Sequence, residues 1–167
     1  GYRIVGRDPA NYGDIGANAI DLSYSSAGSS IRGASGAYST AMGQNTAANG
    51  DVSTAMGYVT TASGYASTAM GRDTEASGDL STAMGRNTDA SGFASTAMGF
   101  QTEASGDYST ATGYYTSAPS AYETVIGIFN TAYTPASTFS IGSSDRLFVV
   151  GNGTSTSARS DALVVLK

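Results

Sequence analysis

Ser67-Thr68-Ala69-Met70-Gly71-Arg72-Asp73-Thr74-Glu75-Ala76-Ser77-Gly78-Asp79-Leu80 is one unit of a fourteen-residue repeat that runs from Ala34 to Ala118. The opening STAMG also starts at Ser39, Ser53, Ser81 and Ser95 and fades to STATG at Ser109; the second half reads T-x-A-[SN]-G. Glycine therefore recurs at every seventh residue from Gly36 to Gly113. A period this short and strict predicts a solenoid, in which each repeat is one supersecondary unit stacked on the next.

Each seven-residue half is expected to be a five-residue strand followed by a two-residue corner. Strand side chains alternate between faces. Positions 39, 41 and 43 then share one face, as do 46, 48 and 50. The columns headed by Ala41 and Ala48 admit nothing larger than alanine through Ala111 and Ala118. Both are placed inside a flattened coil too narrow for bigger side chains, with the glycines at the corners, where positive φ or close backbone approach is needed.

The outer faces differ. In the second half a freely varying column (Ala47, Thr61, Glu75, Asp89, Glu103, Ser117) runs beside a mostly serine one, a pattern that suits a solvated face. In the first half a threonine column runs beside Met42, Met56, Met70, Met84 and Met98. If alanine occupies the interior, these methionines point outward in a stripe one coil apart; the reverse arrangement, methionine inside and alanine out, is the competing reading. A contiguous exposed apolar stripe marks an interface. A coil filled only with small residues also buries little apolar area, so a lone chain gains little stability. Three chains around one axis, sharing Met42, Met56, Met70, Met84, Met98 and Ile126 as a common core, would answer both points.

Leu, Ile, Val and Phe supply only 25 of the 167 residues, yet the net charge is just −5, so charge repulsion does not hold the chain open. The absence of cysteine and histidine removes disulfides, serine–histidine catalysis and most zinc sites, and neither a metal nor another cofactor is expected. Mild acidity and scattered basic residues do not favour nucleic acid. No run reaches the eighteen apolar residues of a membrane-spanning helix, so no direct membrane insertion is expected of this segment.

The flanks divide the chain into a lead-in at 1–33, the repeat at 34–127, and a wider closing segment at 128–167. The lead-in is read as a cap over the open end of the stack, with short strands at Gly1–Gly6 and Ala19–Ser23 around a turn-rich Arg7–Asp14. Glu123-Thr124-Val125-Ile126-Gly127 keeps the register a last time, with Val125 in the alanine column and Ile126 in the methionine column. Asn152-Gly153 signals a tight turn and Asp161–Leu166 a further strand. Both ends look cut from something longer.

The STAMG and T-x-A-S-G halves resemble the head repeats of YadA-type trimeric autotransporter adhesins, in which S-V-A-I-G alternates with A-x-A-x-G. Thr40-Ala41-Met42 stands where that family has V-A-I, so methionine replaces isoleucine. The resemblance covers 34–118 and weakens towards Gly127. It implies an all-β, left-handed parallel β-roll, homotrimeric, displayed outside a bacterium and without enzymatic activity. The flanks, Gly1–Pro9, Gly13-Asp14-Ile15-Gly16, Phe148–Gly153 and Arg159–Ala162, resemble instead trimeric fibre proteins of bacteria, phages and phage-tail-like injection systems. Surface adhesin and tail fibre both stay open.

For function, the resemblance leads to a non-catalytic trimeric head or fibre segment that attaches to cells or glycans through an unidentified receptor. Corner residues Tyr58, Arg72, Arg86, Phe100 and Tyr114 are candidate contacts, offering stacking and hydrogen bonds to glycans, although packing of the corners against a neighbouring chain also accounts for them. Two other readings are kept. The regular Thr40 and Thr46 columns prompt an ice- or crystal-binding solenoid. The Glu75, Asp89 and Glu103 column, with Asp51, Asp79 and Asp107 every second coil, prompts a glycan-degrading spike, but acids that recur with the repeat fit a solvated face better.

Overall fold

The computed structural model describes residues 1–4, 8–26 and 28–167. After β1 (Tyr2–Arg3) and a 3-10 turn (Pro9–Asn11), β2 (Ile20–Tyr24) and β3 (Gly33–Ala34) make the first coil. Long strands then alternate with short ones: β4 (Thr40–Gln44), β5 (Ala47–Ala48), β6 (Thr54–Tyr58), β7 (Thr61–Ala62), β8 (Thr68–Arg72), β9 (Glu75–Ala76), β10 (Thr82–Arg86), β11 (Asp89–Ala90), β12 (Thr96–Phe100), β13 (Glu103–Ala104), β14 (Thr110–Tyr114), β15 (Ser117–Ala118) and β16 (Thr124–Ile128). β17 (Arg146–Asn152) and β18 (Asp161–Leu166) close the chain.

The long strands, with β1, β17 and β18, form one eleven-stranded sheet, and the short ones form a seven-stranded sheet across the coil. All pairings are parallel except β17 with β18. From β4 to β14 the register is fourteen residues, like over like: Ala55 pairs with Ala69, Met56 with Met70, Gly57 with Gly71. The protein is therefore an all-β parallel solenoid, as the repeat implies.

The two halves of a coil are unequal. The first carries the expected five-residue strand, moved one residue along; the second holds only two residues of ladder. In each second half two successive amides share one carbonyl: Asn49 and Gly50 both donate to Ala62 O (2.9 and 3.2 Å), and Ser63 and Gly64 both donate to Ala76 O. This sharing ends the ladder and turns the chain into its corner.

The interior is as narrow as the alanine columns imply. Every alanine from Ala41 to Ala111 and from Ala48 to Ala118 in the two columns is fully buried, joined by the Ser39 and Thr46 columns. Among the described residues Val125 and Val149, in register on β16 and β17, are the larger buried members of that core, and Ile15 packs against it. The glycines divide into two kinds. Gly57 and its equivalents lie inside the long strand, not at a corner, with φ near +127°. Gly64 and its equivalents do flank the corner, where an added Cβ would lie 2.1 Å from Gly78 O. The corner residues with left-handed φ are not glycine: Val52, Val59, Ala66, Asp73 and Leu80 among them.

The lead-in and the closing segment join the same sheet. In β2 the predicted alternation holds but its buried face is the polar one. Asp21 and Ser23 are enclosed, whereas Ile20 and Leu22 point outward in register with Thr40 and Met42. A lumen built for alanine takes small or polar groups, and the larger apolar residues continue the outer stripe. Of the Gly1–Gly6 expectation, Tyr2–Arg3 is strand, and Val5 and Gly6 lie outside the described residues. At the other end Asp161–Leu166 is a strand, but no tight turn forms at Asn152-Gly153. Asn152 ends β17, and residues 153–160 make a longer loop closed by Thr154 N–H donating to Ala158 O (2.9 Å).

Candidate interaction surface

The outer face of the eleven-stranded sheet is one continuous column system. Leu22, Met42, Met56, Met70, Met84, Met98, Thr112, Ile126 and Val150 stand in register on successive strands, flanked by Ile20, the Thr40 column and Phe148. At one strand spacing per coil this stripe is about 38 Å long. Met56, Met70, Met84 and Met98 are partly covered by their neighbours in the column, none of them is fully buried, and Met42 and Ile126 are 40% and 39% exposed, so the apolar stripe faces outward. The arrangement with methionine inside does not occur.

Two residues further along each long strand lies a second column on the same face. It contains all five candidate contact residues, paired in the order Tyr58, Arg72, Arg86, Phe100, Tyr114. The Arg72 guanidinium lies 5.6 Å from the Tyr58 ring centroid, Arg86 lies 5.2 Å from Phe100, and Phe100 stacks on Tyr114 at 5.0 Å. Their ring faces are thus largely occupied by one another along the axis, which leaves ring edges, hydroxyls and guanidinium N–H groups to the outside. Tyr115 and Phe129 continue this edge (stacked at 4.9 Å).

The corner that precedes each long strand carries its own ladder. Phe93 meets Tyr108 edge-on at 5.3 Å, and Tyr108 stacks on Tyr122 at 4.9 Å. The acids at this corner have a structural task that a repeat of fourteen conceals. Asp51, Asp79 and Asp107 each accept the backbone N–H one coil earlier, from Ala37, Tyr65 and Phe93, at 2.8–2.9 Å. Coils are stapled in pairs, so the operative period is twenty-eight. The alternation of Asp with Ala, Tyr or Phe at positions 37 to 107 is the signal that could have revealed it.

Glu75, Asp89 and Glu103 stand in register on the outer face of the seven-stranded sheet. Partial burial, then repulsion from Glu75 and Glu103, pushes the Asp89 carboxyl above its ordinary range. No pocket encloses these acids among the described residues. The Thr46 column, one of the two behind the ice-binding reading, is buried inside the coil and cannot meet a crystal surface.

A buried carboxylate stands near each end of the lumen. Asp21 occupies the alanine column at the first coil, held by Arg3 Nε (2.7 Å) and by the Ser23 backbone N–H and hydroxyl. Arg3 also donates to Gly13 O and lies over the Tyr12 ring. At the far end Glu123 occupies the serine column, fully enclosed. Its Oε2 accepts from Ser120 N–H, Ser120 Oγ and Tyr133 Oη, while Oε1 has no partner among the described residues. Burial raises its carboxyl above the ordinary range, outweighing these hydrogen bonds and the nearby Arg146.

Narrow fourteen-residue coils, an alanine-filled lumen and one outward apolar stripe define a parallel β-solenoid. The family model of the YadA head domain repeat (2 copies) matches residues 34–60, 62–88 and 90–116. Residues 34–116 are therefore YadA-type head repeats, and each matched block is a pair of coils. That family is an adhesin domain, generally without enzymatic activity, and YadA-type adhesins form surface-exposed homotrimers. The match stops short of both flanks and lends nothing to their likeness to tail fibres. No curated protein matches the chain.

Proposed function

We propose that this segment is part of the non-catalytic head of a homotrimeric adhesin, displayed at a bacterial surface, in which the Thr/Met faces of three chains meet on the axis. The single observation behind this reading is the outward stripe from Leu22 to Val150, which runs unbroken across lead-in, repeat and closing segment. A lone chain leaves the outer side of that stripe in water. Its core is little more than alanine, and ladders of enclosed hydroxyls such as Thr60 and Ser67 have no partner among the described residues. Burying a polar group without a hydrogen bond costs on the order of 1–3 kcal/mol. Shared burial of the methionine stripe in a trimer offsets what the lumen lacks. Attachment would then use the surfaces facing away from the axis, with a glycan or protein receptor as target.

Sedimentation equilibrium on the segment tests the assembly; a trimer is expected, and a stable monomer at micromolar concentration would overturn the reading. Bacteria displaying the intact protein should adhere to host-cell or glycan-coated surfaces, and deleting residues 34–127 should abolish adherence. Fractionation provides a further check: recovery in released phage-tail-like particles, not in the cell envelope, would reassign the segment to a tail fibre.

A further inference from the structure

We propose that the two edges of the eleven-stranded sheet meet between neighbouring chains, with Asp79 of one chain held between Arg72 and Arg86 of the next. This rests on the trimer argued above and adds how its chains are matched in orientation and height.

A closed ring of three identical chains is heterologous: two different patches of the same chain meet at every contact. With the Thr/Met face turned to the axis, those patches are the two edges of that face. One is the strand-end column with Tyr58, Arg72, Arg86, Phe100 and Tyr114; the other is the corner before each strand, with Tyr65, Asp79, Phe93 and Tyr108. Rotation about an axis includes no shift along it, so residues of equal number lie at equal height in all three chains. Asp79 is seven residues from both Arg72 and Arg86, half a coil from each. Its neighbour's two guanidiniums therefore bracket it at about 2.4 Å above and below. The same half-coil offset sets Tyr65 between Tyr58 and Arg72, and Phe93 between Arg86 and Phe100.

The charges fit this placement. Arg72 and Arg86 are the only basic residues between Gly33 and Asp145, and they stand in register on adjacent strands. Like charges directly opposite on neighbouring strands disfavour the sheet, and an anion between them removes the penalty. Arg72 has only an exposed contact with its own Asp73 (3.2 Å), and Arg86 has no carboxylate within ion-pair distance among the described residues. Asp79 spends one oxygen on Tyr65 N–H (2.8 Å) and is exposed. A carboxylate between two guanidiniums makes charge-assisted hydrogen bonds whose geometry is specific. Glu75, Asp89 and Glu103 are the rival partners, but they lie on the other sheet's outer face, turned away from the axis. Ion pairs at an interface rim contribute register and specificity more than affinity. An STAMG repeat that looks the same one coil up or down needs such a marker.

The chain has no cysteine, which permits a direct test. Asp79→Cys and Arg86→Cys are introduced into the same chain and the protein is oxidised. The two positions lie at opposite ends of a five-residue strand, roughly 17 Å apart, beyond the ~7 Å that a disulfide spans, so only a bond between chains can form. The expected product on a non-reducing gel is a covalent trimer. Tyr65→Cys with Arg72→Cys leaves Asp79 intact and should give the same product. Glu75→Cys with Arg86→Cys should give none. If wild type and both edge variants sediment as trimers and neither edge pair cross-links, the edge pairing is overturned while the trimer stands. Cross-linking of the Glu75 pair in place of the edge pairs would overturn it in favour of the other sheet. A monomeric wild type would overturn the trimer itself. As an independent measure, Asp79→Arg should weaken the trimer about tenfold, and adding Arg72→Asp and Arg86→Asp should restore it.

Discussion

Two residues per coil hold a left-handed backbone, and side-chain identity there is left almost free: Val52, Val59, Ala66, Asp73, Leu80 and Asn87 all occupy such positions. An L-residue pays roughly 1–2 kcal/mol in this region, and Asn or Asp pays least. Val59→Asn should therefore raise stability by about 1 kcal/mol, read as a higher thermal midpoint; an unchanged or lower midpoint would contradict the strain argument. Glycine is required elsewhere. Gly57→Ala would place a Cβ at φ +127° and 2.0 Å from Gly71 O, and Gly64→Ala would place one 2.1 Å from Gly78 O. Either should cost on the order of 4 kcal/mol or more, seen as loss of the cooperative transition. Glu123 gives a pH dependence whose sign follows from its enclosure. Its folded carboxyl titrates above its unfolded value, so the stabilisation is complete below the unfolded value and is lost as pH rises through the folded one. Wild type should thus melt higher at pH 5 than at pH 7. Glu123→Gln keeps an acceptor for Ser120 and Tyr133 and should flatten that difference; an equal slope in the variant would point to other groups, Asp89 first, whose raised carboxyl acts with the same sign.

At the scale of elements, the two halves of a coil do different work. The long strands make the broad sheet that carries the stripe, and the short ones are ladder fragments that return the chain. Replacements should act accordingly. Met70→Asp puts a charge in the middle of the stripe and should dissociate or unfold the assembly, read by sedimentation and circular dichroism. Glu75→Ala, on the outer face of the short-strand sheet, should change stability by less than about 0.5 kcal/mol, and removal of one of three stacked acids should slightly help. Equal effects from both would remove the distinction between the faces. Residue size pointed to these faces, because a column restricted to alanine over six coils suits a narrow interior, and the buried alanines decided against the reverse arrangement with methionine inside. The shared carbonyls that cut the second strand to two residues were not legible. They depend on where an amide points, which no side chain records. Nor was the polar interior of β2, where alternation was visible but the choice of face depended on a lumen already fixed by the coils above it.

For the whole molecule, the eleven-stranded sheet passes through all three sequence regions without a break, and an enclosed carboxylate stands near each end of the lumen. The candidate contact residues share this scale. They are scattered over fifty-seven positions of sequence, Tyr58 to Tyr114, yet form one ladder along an edge, with faces occupied by one another. Period and residue size by themselves determined the solenoid, its fourteen-residue coil and the separate alanine and methionine columns, because each repeats often enough for a steric rule to leave a column; that alanine takes the inside was favoured by its size and decided by the stacked coils. The tertiary structure alone decided the direction of the corner carboxylates and the amides that Asp51, Asp79 and Asp107 accept from, the enclosure of Asp21 and Glu123, and the register that sets Arg72 beside Arg86. These are contacts between residues a coil or more apart, and their geometry exists only once the coils are stacked.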